Sequence, residues 1–206
     1  MEERECARLR ERDCGLVRLV LCQDDFETER LEYTDANGEL KVSIVGRKGR
    51  GAGGFMLASH SDTVPWSAWT RDPFDPVIEG SRMIGLGACD MKGPIAATMA
   101  AAAAYRASDL KRPIYIAVTS DEEISGEGAR RVADESRLMR ENRPQCGVIA
   151  EPTELTPVYA HKGIGKVIVT ATGQAAHTST DRGVSANFLI APFLADMAQL
   201  AMLFRT

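Results

Sequence analysis

The sequence predicts an α/β layered domain with a largely parallel central sheet. Three observations carry this. Short apolar runs, "FMLAS" (55–59), the β-branched "PIYIAVTS" (113–120) and "CGVIA" (146–150), have the length and character of buried strands. Helical stretches separate them, giving the order strand, helix, strand, helix, strand. Acids and a histidine then stand directly after the apolar runs, where α/β sheets bind ligands beyond their strand ends.

Each element has its own reason. Residues 1–30 read as a charged helix. In "ERLEYTDANGELKVSIVG" two alternating runs flank Asp35-Ala36-Asn37-Gly38, and Asn-Gly is a strong hairpin signal. "RKGRGAGG" (47–54) is a loop. "MKGPIAATMAAAAAYRAS" (91–108) reads as a closely packed helix with Pro94 in its first turn. "GEGARRVADESRLMREN" (126–142) reads as one helix. After Glu151 the texture changes: 158–173 suggests antiparallel strands with a glycine break, and 185–204 a helix. A domain boundary is expected near 160–165.

The bulk numbers exclude some functions. The chain has 206 residues, 44% of them hydrophobic, and a formal charge of −4. That suffices for one sizeable core, or one domain and part of another. No basic run is dense enough for a nucleic-acid face. No segment reads as the roughly 18 apolar residues of a membrane span. The charged N-terminus lacks the apolar core of a secretory signal, so cytoplasmic residence is the default expectation. Cys6, Cys14, Cys22, Cys89 and Cys146 are odd in number and lack C-x-x-C spacing, which predicts free thiols.

His60 and Asp62 follow the first buried run, Asp90 precedes the alanine-rich helix, Glu122 and Glu123 follow the second run, and Glu151 follows the third. Taken singly, His60 reads as a core histidine, Asp90 as a helix N-cap, Glu122-Glu123 as an exposed acidic turn and Glu151 as a loop start. Taken together they gather like charges at one sheet edge, which calls for a cation. Histidine and carboxylates are ligands suited to zinc. Asp62 stands at the right reach to fix the tautomer of His60. Adjacent glutamates can divide metal binding and general-base work.

The stretches "SHSDTVP", "GLGACDMKG", "TSDEEISGEGAR", "EPT" and "GQAAHTS", over about 55–190, resemble the co-catalytic zinc amidohydrolases typified by acetylornithine deacetylase and succinyl-diaminopimelate desuccinylase. The resemblance implies a three-layer α/β catalytic domain over 1–162, and the truncated start of a smaller α+β lid, or dimerisation, domain over 163–206. It implies two zinc ions, with cobalt or manganese as alternatives. Metal ligands would be His60, Asp90 as the bridge, Glu123 and Glu151. Asp62 would orient His60, Glu122 would be the general base that activates water, and His177 would stabilise the oxyanion. A cis peptide is implied between Asp90 and Met91. Glutamate at 151, "AEPTELTPVYAHKG" and "WTRDPF" are similar to the acetylornithine deacetylase branch. The implied reaction is hydrolysis of a small N-acyl amino acid. An exopeptidase or dipeptidase using the same site, and a non-catalytic metal-binding or assembly fragment, stay open. The family's late histidine ligand has no counterpart after His177, so the chain as given is expected to be incomplete and inactive. A homodimer through the lid is expected of the full-length form, with no nucleic-acid or membrane partner.

Overall fold

The computed structural model describes residues 15–204, apart from Ala68, Ile164 and Lys166. The reading of residues 1–14 as helix, and of Cys6 and Cys14 as thiols, lies outside the described residues. Within them, α1 covers 15–23 and the chain is extended from Glu27 onward, so the expected helix is shorter than 1–30. The described chain divides into two units at Pro157–Val158.

The first unit is built on a five-stranded sheet ordered β1-β2-β6-β3-β7. Strands β1 (Glu27–Thr34) and β2 (Leu40–Lys48) form the expected antiparallel hairpin. Its turn is made by Asp35, whose Oδ1 accepts the N–H groups of Asn37 and Glu39, both at 2.9 Å. Gly38 takes φ +81°, a conformation glycine adopts without strain. β3 (Phe55–His60), β6 (Ile114–Thr119) and β7 (Cys146–Ile149) pair in parallel, with β3 central among them. β6 also pairs antiparallel with β2, so four strands run one way and β2 alone runs against them.

The pleat directs alternate residues to two apolar layers. On one face Val42, Ile44, Ile116 and Val118 pack with Val17 and Leu21 of α1 and with Ile95 and Ala102 of α2 (Gly93–Ala103). On the other, Val45, Tyr115 and Ala117 pack with Val132 of α3 (Glu127–Glu135) and with Leu138 and Met139 of α4 (Arg137–Glu141). Helices on both faces make this a three-layer α/β unit. A small hairpin, β4 (Val77–Glu79) and β5 (Arg82–Ile84), was not signalled by any long alternating run; it turns at Gly80, φ +63°.

The single helix expected over 126–142 is two helices. Ser136 is extended at the break, and its Oγ accepts the Met139 N–H at 3.2 Å, capping α4. Glu29, from β1, completes the cap. Its carboxylate accepts the Ser136 hydroxyl at 2.7 Å and the N–H groups of Arg137 and Leu138 at 2.9 and 3.1 Å. Burial raises the Glu29 pKa, but these hydrogen bonds outweigh it and hold the carboxyl below its usual range. Glu29→Ala should therefore cost about 1–2 kcal/mol in urea unfolding at neutral pH. Because the folded pKa is depressed, the wild-type advantage should fade as pH falls below the ordinary value of 4.5. An unchanged midpoint would remove Glu29 from the cap.

The second unit contains α5 (Ala186–Leu203), as expected, with Pro192 inside it. The strands expected over 158–173 do not form among the described residues; one isolated bridge joins Gln174 and Val184. Val167 and Ile168 are 82% and 84% exposed, so the alternating residues have no partner to pack on, and a lone hairpin is marginal in water. α5 buries no residue, and its mean hydropathy is 1.4 over 18 residues. By length and composition it could cross a membrane, which corrects the expectation that no segment is that apolar.

Candidate metal centre

The parallel run of β3, β6 and β7 brings three chain reversals to one sheet edge. β3 ends at His60, β6 at Thr119 just before Glu122 and Glu123, and β7 at Ile149 just before Glu151. Asp90 arrives from the kinked segment before α2. The Asp90–Met91 peptide is cis, as the resemblance implied. Gly87 holds this segment close to the loop after β3: its φ is +74°, and a Cβ there would lie 2.6 Å from Thr63 Cγ2. Met91 is fully buried beneath the site, and its sulfur accepts the His60 N–H at 3.2 Å.

His60 is the centre. It is 2% exposed, with Nε2 at 3.1 Å from Asp90 Oδ1, 3.7 Å from Glu151 Oε1 and 3.8 Å from Glu122 Oε2. On the other side of the ring, Nδ1 lies 3.0 Å from the Asp62 carbonyl oxygen and 3.6 Å from Asp62 Oδ1. A backbone oxygen can only accept, so Nδ1 carries a proton; Nε2 faces the acids, donating to Asp90 when the ring is protonated and offering its lone pair once a cation takes that proton's place. One ligand atom each from His60, Asp90 and Glu123 lies within 4.8 Å of the others. Asp62 is buried and spans two roles, because its Oδ1 and Oδ2 also accept the N–H groups of Glu122 and Glu123 at 3.2 and 3.1 Å.

The electrostatics favour a cation. Burial opposes a charge on His60, yet the Asp62 hydrogen bond and charge and the Glu122 charge push its pKa up to about 9. Glu123 is raised, by burial and then by Asp90. Glu151 is raised by burial, with His60 opposing and Asp90, Glu122 and Glu123 reinforcing. Carboxylates that resist ionising together, around a buried imidazole, are the donor set of a divalent nitrogen/oxygen site. The residues present fit the metal that the resemblance implies.

The sequence-predicted residues His60, Asp62, Asp90, Glu122, Glu123 and Glu151 are thus brought together in the first unit. His177 lies in the second. There its Nδ1 accepts the Ser179 N–H at 3.2 Å and meets Ser179 Oγ at 2.7 Å, leaving Nε2–H as a donor. Sequence reasoning missed the group behind the glutamates: Asp121, with Tyr33 and Lys41 from the hairpin. Its one signal was the acid immediately before Glu122. Lys41, in an alternating strand, reads as a surface lysine.

Comparisons with known proteins show what the chain as a whole is similar to. The acetylornithine deacetylase of Salmonella arizonae is 42% identical over 163 residues, covering 78% of this chain and 42% of that protein. That of Klebsiella pneumoniae is 41% identical over the same span. The chain thus spans less than half the length of these curated relatives. Human carnosine dipeptidase 1 shares the fold, with a TM-score of 0.57 at 18% identity over 84% of this chain and 35% of that one. Residues 56–201 match the model of peptidase family M20/M25/M40, from β3 through most of α5, and the chain belongs to that family.

Proposed function

We propose that the chain carries the metal centre of a hydrolase that cleaves the amide bond of an N-acyl amino acid, as acetylornithine deacetylase does. One observation carries the reading: His60, Asp90, Glu123 and Glu151 converge at the ends of three parallel strands, with Asp62 behind them and Glu122 beside them. The identity to deacetylases narrows the substrate class.

His60, Asp90, Glu123 and Glu151 would hold two zinc ions, with Asp90 shared. When bound, the metal polarises the amide carbonyl and makes a water acidic enough to deprotonate near neutral pH. Glu122 takes the water's proton and returns it to the leaving amine, so that carboxylate and amine are released with no net proton gained by the protein. Asp62 keeps the His60 lone pair directed at the metal and fixes the Glu122–Glu123 turn. His177, through its Nε2–H, would hydrogen-bond the oxyanion. Residues 163–206 would belong to a lid through which the protein dimerises, in the cytoplasm. The family match runs through residue 201, which favours a place for α5 within the hydrolase over a membrane span.

Calorimetric titration with Zn2+ or Co2+, followed by assay of N-acetylornithine against simple dipeptides in the full-length protein, tests this. Two ions per chain and preferential deacetylation are expected. Preferential dipeptide cleavage would make the protein a dipeptidase, and ion binding without hydrolysis would make it a non-catalytic module. No saturable ion uptake would overturn the metal centre.

A further inference from the structure

A buried charge cluster backs the glutamate turn. Lys41 is 4% exposed and lies directly opposite Tyr33 in the β1–β2 ladder. Its Nζ meets Glu39 Oε2 at 3.0 Å, Asp35 Oδ2 at 3.2 Å and Asp121 Oδ1 at 3.2 Å. The other oxygen of Asp121 accepts the Tyr33 hydroxyl at 2.9 Å and the Ser125 hydroxyl at 3.2 Å. The Arg131 guanidinium lies over the Tyr33 ring, 4.7 Å from its centre, and holds the ring in place.

We propose that Tyr33, Lys41 and Asp121 form a positioning device that sets the Glu122–Glu123 turn, and through it the divalent-ion affinity of the centre. The inference rests on the metal reading above. Asp121 is the hinge of the turn. It has φ +64°, left-handed backbone that a non-glycine residue holds only when its surroundings enforce it. Its carbonyl accepts the N–H groups of Ser125 and Gly126 at 3.0 and 2.7 Å, closing the loop that carries the glutamates. Asp62 grips the same turn from the metal side through the Glu122 and Glu123 N–H groups. The two glutamates are thus clamped between one carboxylate at the metal and another tied to the hairpin. A hairpin needing only a neutralised lysine already has Asp35 and Glu39; Asp121 adds a link to the site.

The test uses Tyr33→Phe and Asp121→Asn in the 206-residue chain. The first removes one hydrogen bond and keeps the ring. The second removes the charge and keeps a side chain that tolerates left-handed backbone. Two quantities are read: the Zn2+ dissociation constant, and amide hydrogen exchange in the ion-free chain. The expected result is a dissociation constant raised by about tenfold or more. Exchange should also quicken at the Glu122 and Glu123 amides, with Ile116 and Val118 unchanged. If Asp121→Asn does not fold, Tyr33→Phe decides alone. Unchanged Zn2+ affinity, or exchange quickened equally along β2 and β6, overturns the positioning role and leaves the metal reading intact. A wild-type chain that takes up no Zn2+ overturns both.

Discussion

Glu122→Gln is expected to lower amide hydrolysis by the full-length protein about 10²–10⁴-fold, the usual loss of a positioned proton-transfer group. Zn2+ content should stay the same. The split follows from geometry. Glu123 shares the compact group with His60 and Asp90, whereas the Glu122 carboxylate is 3.8 Å from His60 Nε2 and half exposed, free to meet water and substrate. Glutamine preserves the size of the side chain and the backbone N–H held by Asp62, so the turn keeps its shape. The partner substitution, Glu123→Gln, should reverse the pattern and cost ion binding first. Should Glu122→Gln lose zinc together with rate, the residue is a ligand. Should it lose neither, the proton is taken elsewhere.

The centre was legible in the sequence because its order is local to each strand. A buried strand followed at once by an acid or histidine is a one-dimensional pattern. Parallel pairing then brings His60, Glu122, Glu123 and Glu151 to one edge without further information. The hairpin was legible for the same reason, since Asp35 and Gly38 make its turn within four residues. What was hidden depends on partners far away in the chain. The break at Ser136 is stabilised by Glu29, 107 residues earlier, and a helical pattern through "ADESRLM" masks it. Lys41 reads as exposed until Asp121, from the far end of β6, covers it. The alternation in 158–173 states a capacity for strand pairing, and a strand forms only where a second one lies alongside.

Asp62→Ala is expected to damage stability and ion affinity together. Asp62 is 5% exposed; its carboxylate accepts two donors, the Glu122 and Glu123 N–H groups, and its charge lies 3.6 Å from Nδ1 of His60, which donates to the Asp62 backbone carbonyl. Alanine leaves the two N–H groups without the acceptor they had. An orphaned buried donor costs about 1–3 kcal/mol, and the two share one site, so a combined loss of about 2–5 kcal/mol is expected. That is a large share of the roughly 5–15 kcal/mol that holds a domain folded. With the Glu122–Glu123 turn freed and the charge beside His60 removed, Zn2+ affinity should fall about 10–100-fold. Asp62→Asn should lie between, because one amide oxygen can accept a backbone N–H while the amide nitrogen confronts the other. The pH dependence has a fixed sign. Burial raises the Asp62 pKa, but the hydrogen bonds from His60 and from the Glu123 and Glu122 N–H groups prevail and depress it below the ordinary 3.8. The carboxylate therefore stabilises the fold above that value, and its contribution is lost as pH falls through the depressed one. Urea unfolding of the ion-free wild type and Asp62→Ala at neutral pH and at about pH 3 should show the gap narrow in acid. A gap that stays constant would mean that Asp62 acts through its shape, and its charge would have no part in holding His60 and the glutamate turn.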